Sequence, residues 1–123
     1  MSDIKQVIVM RKDLNMRKGK MIAQGSHSSM AFLSHRIKKA PFQLTPEMEL
    51  WLNGSFAKIY VSVDSEQELL EIYQKAKEVN LEVHLITDNG KTEFAGVPTN
   101  TCLAIGPDLS SKIDPITGQL KLL

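Results

Sequence analysis

The chain has 123 residues, enough for one domain with a core of its own. No apolar run is long enough to span a bilayer, no signal-peptide pattern is present, and Cys102 is the only cysteine, so an intrachain disulfide is excluded and a cytoplasmic protein is expected. The net charge of +1 is unevenly spread: residues 11–39 hold eight basic residues and the single acid Asp13, a local charge of +7, while residues 40–123 come to −6.

In chain order, "IKQVIVM" at 4–10 is a short apolar run rich in β-branched residues, the pattern of a buried strand. The loop "RKDLNMRKG" leads into a predicted helix from about Lys20 to Lys39. At about 100° per residue, Lys20, Gln24 and His27 share an arc of roughly 60° and form one polar stripe. The opposite face carries Ile22, Ser26, Ser29 and Leu33, with Met30 and Ile37 at its edge, and is the expected buried side. Gly25 costs the helix roughly 1 kcal/mol against alanine, a cost that close approach to a sheet explains. The polar stripe fits either a solvated face or a site.

Thr45 with Pro46 at the first helical position predicts a short helix through Leu52, ended by Asn53-Gly54. "AKIYVSV" at 57–63 reads as a second strand. Ser65 and Glu68 form a capping box, and Leu69, Leu70, Ile72, Tyr73, Ala76 and Val79 make the apolar face of the next helix. "LEVHLIT" at 81–87 and "TCLAIG" at 101–106 are the third and fourth strands, and the tail after Pro107 is rich in turn residues.

Strand–helix–strand–helix–strand predicts βαβ crossovers and parallel pairing among the first three strands. Residues 88–100 lack a helical pattern, so they read as a loop that returns the fourth strand antiparallel. Open α/β sheets bind ligands at the carboxyl ends of their strands. That edge gathers the basic loop, the helix start and "TDNGKT", which brings Lys20, Gln24, Asp88, Thr92 and Thr101 towards one site. Gly90-Lys91-Thr92 resembles the end of a phosphate-binding loop, but Leu85 stands where its first glycine is required. "DNG" by itself is a turn signal. His27, His35 and His84 have no metal-ligand spacing, so no metal is expected, and no serine has nucleophile-elbow surroundings. The basic first third suits an anionic partner, phosphates above all, or simply a solvated loop and helix end. An aromatic content of 6% offers no stacking platform for bases.

Taken together, "VIVMRKDLNMRKGKMIAQGSHSSM", "KIYVSV", "DNGKTEFAGVPTNTCLAIGP" and "IDPITGQLKLL" resemble the type II peptidyl-tRNA hydrolases, in order and over nearly the whole chain. The resemblance rests on R-x-D-L-x-M-x-x-G-K, A-Q-x-x-H, D-x-G-x-T and T-x-L-A-I-G-P. It implies one α/β domain over residues 1–123, with a four-stranded mixed sheet flanked by helices on both faces and a homodimer as the assembly. It also implies hydrolysis of the ester joining peptide to tRNA, with no metal or cofactor. Residues 40–55 look like an insertion. Asn89, Gly25 and Ser28 depart from the usual alanine, cysteine and alanine, and the loop between Thr92 and Thr101 is one residue longer.

By the same resemblance, Asp88 accepts a proton from water, directly or through Thr92 or Thr101. Lys20 stabilises negative charge and Gln24 orients substrate or water. His27 either joins them or hydrogen-bonds within the helix packing. Arg11, Lys12, Arg17 and Lys18 would hold acceptor-stem phosphates of the tRNA. Two other classes stay open at this point: a relative that kept RNA binding or a regulatory role and lost catalysis, and an esterase for another substrate. The set Lys20, Gln24, Asp88, Thr92 and Thr101 argues against the first, because binding phosphates does not need an aspartate.

Overall fold

Alternation along the first strand decides how the layers stack. In the computed structural model, which describes residues 3–123, β1 (Ile4–Arg11) sends Val7 and Val9 to one side and Ile8 and Met10 to the other, all four buried. A strand buried on both faces needs a cover on each. One cover is α1 (Lys18–Ile37) with α2 (Pro46–Asn53); the other is α3 (Glu66–Glu78) with α4 (Ser110–Thr117). The remaining strands are β2 (Lys58–Val63), β3 (Val83–Asp88), β4 (Thr99–Leu109) and β5 (Lys121–Leu122).

The sheet order is β3-β4-β1-β2-β5. β1 and β2 pair in parallel, Val9 opposite Val61, across the crossover that α1 and α2 make. β4 runs antiparallel between β1 and β3. Two expectations are therefore corrected. The sheet has five strands, not four, because β5 adds antiparallel to β2 at Val61 and Ser62. The third strand shares the direction of the first two but does not pair with them, because the long β4 occupies the place beside β1. Two-residue β5 is too short for its alternation to be read.

The turn-rich tail is also corrected, since it contains α4 with Pro115 inside it. Proline removes an interior amide donor and signals a break. Ile113 and Ile116 are nonetheless buried against the valines and isoleucines of β1, β2 and β4, and that burial outweighs local propensity. Residues 40–55 contain α2, N-capped by Thr45, whose hydroxyl accepts from the Met48 amide at 3.1 Å. Its Met48 and Trp51 pack on Phe32 of α1, and Trp51 donates its indole N–H to the Ala57 carbonyl at 2.8 Å.

The buried side of α1 differs most from expectation. Ile22, Met30 and Ile37 are 70%, 60% and 63% exposed, while Gln24, Gly25, Ser28, Ser29, Ala31 and Phe32 face the sheet. The buried face is turned by roughly a third of a turn from the apolar stripe. Small side chains let the helix lie close: a Cβ at Gly25 would stand 2.7 Å from the Tyr60 ring. Two glutamines make that closeness specific. Gln6 of β1, fully buried, donates to the Ser29 carbonyl at 2.9 Å and accepts from the Ser29 hydroxyl at 2.5 Å. Gln24 is taken up by the site described below.

The Gln6–Ser29 pair is testable by a double-mutant cycle in urea. Ser29→Ala leaves the Gln6 carbonyl buried without a donor and is expected to cost about 1–3 kcal/mol. Adding Gln6→Leu removes the stranded group, so the double variant should recover part of that loss. Additive losses would mean that the two side chains act independently.

Candidate active site

The site lies at the carboxyl ends of β1 and β3, where α1 begins, and a distortion in the sheet aims its side chains. Ile86 pairs with Cys102, but Thr87 pairs with Asn100, so Thr101 is the extra residue of a bulge in β4. A bulge places two consecutive side chains towards one face. Here the Thr101 hydroxyl donates to Gln24 Oε1 at 2.5 Å, and the Cys102 thiol donates to the Gln24 main-chain carbonyl at 3.4 Å. The Thr101 contact fixes the orientation of the Gln24 amide: its oxygen faces β4, so its NH₂ faces Asp88.

Asp88 closes β3 and is the centre of the cluster. Its Oδ1 accepts from Lys20 Nζ at 2.9 Å and from Gln24 Nε2 at 3.2 Å, and its Oδ2 accepts from the Gly90 amide at 2.8 Å. Lys20 Nζ also donates to the Thr92 hydroxyl at 2.7 Å. The Lys20 and Asp88 side chains are only 13% and 11% exposed. The ammonium hydrogen-bonded to it, helped by the Gly90 amide and Gln24 against the opposing effect of burial, holds the Asp88 carboxyl below the usual carboxylate range. Asp88 is therefore an anion at neutral pH.

Gly90 makes the loop that brings Thr92 to Lys20. It sits at φ +81°, and a Cβ there would lie 2.1 Å from the Val97 carbonyl oxygen. Its own carbonyl accepts from the Phe94 and Gly96 amides, which folds residues 90–97 back on themselves. The loop also sets the Phe94 ring 5.6 Å from Lys20 Nζ. Phe94 was not foreseen, since a lone aromatic in a polar loop carries no periodic signal.

Five of the expected site residues thus come together: Lys20, Gln24, Asp88, Thr92 and Thr101. Thr101 is fully buried and Gln24 nearly so, and Thr101 meets the rest of the cluster only through Gln24. His27 is exposed on α1, and no hydrogen bond joins it to the other five among the described residues. Of the expected phosphate contacts, Lys12, Arg17 and Lys18 are exposed around the loop at the start of α1. Arg17 is 85% exposed, with Glu93 at 3.0 Å. Arg11 is placed differently. Its side chain is 11% exposed, and its guanidinium holds both Asp13 oxygens, at 3.1 and 2.7 Å, and the Asn100 carbonyl at 3.0 Å. Those contacts brace the start of β4 beside the bulge instead of facing solvent. Cys102 is buried, and burial pushes its thiol up to about 11, so it stays protonated. Among the described residues, no three His, Cys, Asp or Glu side chains gather as metal ligands, and no helix is long and apolar enough to cross a membrane.

A family model described as "Peptidyl-tRNA hydrolase PTH2" matches residues 4–123. The chain belongs to the PTH2 family of peptidyl-tRNA hydrolases. Among its relatives, the peptidyl-tRNA hydrolase of Methanothermobacter thermautotrophicus is 48% identical, covering 98% of this chain and all of that protein. That of Methanocaldococcus jannaschii is 44% identical with the same coverage, and that of Saccharolobus islandicus 40%, covering 98% and 99%. A solved structure of a protein of unknown function from Agrobacterium tumefaciens aligns over all of this chain and 99% of its own, with a TM-score of 0.63 at 14% identity, a likeness of fold alone.

The bulge contact yields a prediction for this peptidyl-tRNA hydrolase. Thr101→Val keeps the shape and removes the donor that fixes Gln24. The stranded Gln24 carbonyl should cost about 1–3 kcal/mol in urea unfolding. Turnover should fall while the protein remains folded, and Thr101→Ser should restore both. Turnover unaffected by the valine would separate Gln24 orientation from function.

Proposed function

We propose that the Lys20–Gln24–Asp88–Thr92 cluster is where this chain hydrolyses the ester between peptide and tRNA, with Thr101 fixing Gln24 from behind. The observation that carries the reading is a carboxylate and an ammonium side by side at the surface end of the sheet, each with capacity left over. An ammonium has three N–H donors, and Asp88 and Thr92 use two. The third is free to meet the ester carbonyl and the negative charge that grows there. An ionised carboxylate offers about four acceptor positions, and three are occupied, so one remains for water.

In this scheme Asp88 accepts a proton as the water oxygen bonds to the ester carbon. The Lys20 ammonium holds the oxyanion. Collapse of the intermediate breaks the bond to the ribose oxygen, which leaves with the proton from Asp88. Thr92 accepts from Lys20, so its own O–H stays free to orient the attacking water or the carbonyl. Gln24 keeps Asp88 aimed. Lys12, Arg17 and Lys18 hold phosphates beside the ester; the exposed Arg17–Glu93 pair is weak enough for a phosphate to displace. Residence in the cytoplasm and a homodimer belong to the same reading, the second copy covering the exposed Ile22, Met30 and Ile37 of α1.

Asp88→Asn tests the chemistry. The amide keeps the shape and one acceptor for Lys20 but strands a positive charge, so the melting temperature should drop with the fold intact. It cannot take the proton from water, and general-base loss typically costs about 100- to 10,000-fold. Release of peptide from N-blocked aminoacyl-tRNA should fall by that order while tRNA binding persists, both measured with and without chelator. Near-normal turnover would move the base elsewhere.

Salt tests the phosphate contacts. Affinity for tRNA should fall linearly in log–log form with ionic strength, by about 0.7 to 0.9 units of slope per phosphate neutralised. Lys18→Ala should flatten that slope by about one. An affinity independent of salt would remove Lys12, Arg17 and Lys18 from the interface.

A further inference from the structure

α1 and the edge strand β3 lie side by side and run in opposite directions. Lys20 near the start of α1 meets Asp88 at the end of β3, and His35 near the end of α1 meets His84 near the start of β3, ring centroids 4.7 Å apart. His84, Ile86 and Asp88 share one face of the strand, by alternation. On the helix, Lys20, His27 and His35 follow the same side at intervals of seven and eight residues. The two elements therefore form one packed seam at the open edge of the sheet, with the proposed ester-cleaving cluster at one end. From His84 to Asp88 the strand rises about 13 Å, and from Lys20 to His35 the helix rises about 22 Å.

At the far end of the seam lies a polar cavity of about 310 Å³ lined by His35, Arg36, Lys39, Glu82 and His84 among others. Its cations outnumber its anions. Glu82 is the one carboxylate there, paired with Arg36 at 2.9 Å and with His84 at 2.6 Å. Arg36 gives one N–H to Glu82 and one to the Gln43 carbonyl at 3.2 Å, and its Nε has no partner among the described residues. A guanidinium has five N–H groups, so donors remain. Lys39 is exposed and no carboxylate pairs with it among the described residues. Lys38 stands one residue before it.

We infer that this cavity is a second anion site, which takes a backbone phosphate of the substrate RNA a few nucleotides from the ester, the RNA between passing over the exposed His27 side of α1. The inference rests on the reading that the Asp88 end cleaves the ester. A polyanion held at one end of the seam reaches a second cluster of cations at the other, and none of those cations is needed for the chemistry. The Arg36–Glu82–His84 contacts hold the cavity's shape, and Lys39 and His35, outside that ion pair, face the ligand.

The test uses Lys39→Ala and His35→Ala in the full chain, with Lys39→Arg as the conservative control. Binding of deacylated tRNA is measured as a function of salt. Hydrolysis is measured on two substrates: full-length N-blocked aminoacyl-tRNA, and the N-blocked aminoacyl ester of adenosine, which carries no phosphate. Lys39→Ala is expected to weaken tRNA binding, flatten the salt slope by about one, and raise KM severalfold for the full-length substrate. Turnover of the adenosine ester should be unchanged, and Lys39→Arg should bind as the parent does.

Unchanged tRNA affinity and slope would overturn the inference. So would an equal loss on both substrates, since the cavity would then serve the fold or the aminoacyl end. The reading it rests on fails separately, if the parent protein hydrolyses neither ester, and the binding measurements stand whichever way that falls.

Discussion

The ion pair between Lys20 and Asp88 is the constraint around which the rest of this fold is arranged. It joins the first turn of α1 to the last residue of β3 across 68 positions of chain, with both side chains nearly withdrawn from water. Desolvating two charges is unfavourable, and their attraction offsets it only where the remaining hydrogen-bonding capacity is satisfied. Gly90, Gln24 and Thr92 supply that satisfaction, and each comes from a different place: a loop amide at positive φ, the buried face of the helix, and the loop tip. A site of this kind stabilises little in itself. Its geometry is held by the apolar packing of β1 and β4 on both sides of the sheet.

That arrangement explains why α1 is an unusual helix. A helix packed only for stability would bury Ile22, Met30 and Ile37, the apolar residues it possesses. This one buries Gln24, Gly25, Ser28 and Ser29 and leaves the three large residues in solvent. Turning the apolar stripe inward would swing Lys20 and Gln24 away from Asp88. The polar buried face survives because its groups are paired: Gln6 with Ser29, Gln24 with Thr101 and Asp88, the Ser28 hydroxyl with the Gly25 carbonyl. The Asp88 contacts and apolar burial here ask for different faces of one helix, and the pairing of Gln6 and Gln24 lets the Asp88 contacts decide.

The same conflict marks what could be read from the residues in advance. The strands and the capped helices were legible because β-branched runs, Thr45-Pro46 and Ser65 with Glu68 are local signals with local causes. Lys20, Gln24, Asp88, Thr92 and Thr101 were legible because topology and family resemblance pointed to the same edge. The buried face of α1 was not, since hydropathy ranks Ile22 above Gln24 and knows nothing of Asp88 sixty-four residues on. Nor was α4, where Pro115 and Asp114 signal a turn while Ile113 and Ile116 are held by strands distant in sequence. The edge position of β3 was hidden for a similar reason: alternating strands and helices suggest neighbours in order, and only the length of β4, eleven residues, reveals which strand fills the place beside β1.

Arg11 shows how charge counts mislead at the level of single residues. Seven units of positive charge between residues 11 and 39 point correctly to a basic surface. Arg11, the first of them, is turned inward to Asp13 and to the carbonyl of Asn100, one residue before the bulge. Asn100 in turn accepts from the Thr87 hydroxyl at 2.6 Å, one residue before Asp88. The guanidinium therefore sits behind the two strand ends that present Thr101 and Asp88. Its rigid fork suits that task, spanning a carboxylate and a carbonyl at once as a lysine ammonium would not. A residue counted towards a basic surface is in this case part of the frame, and the charges left in solvent around it are Lys12, Arg17 and Lys18.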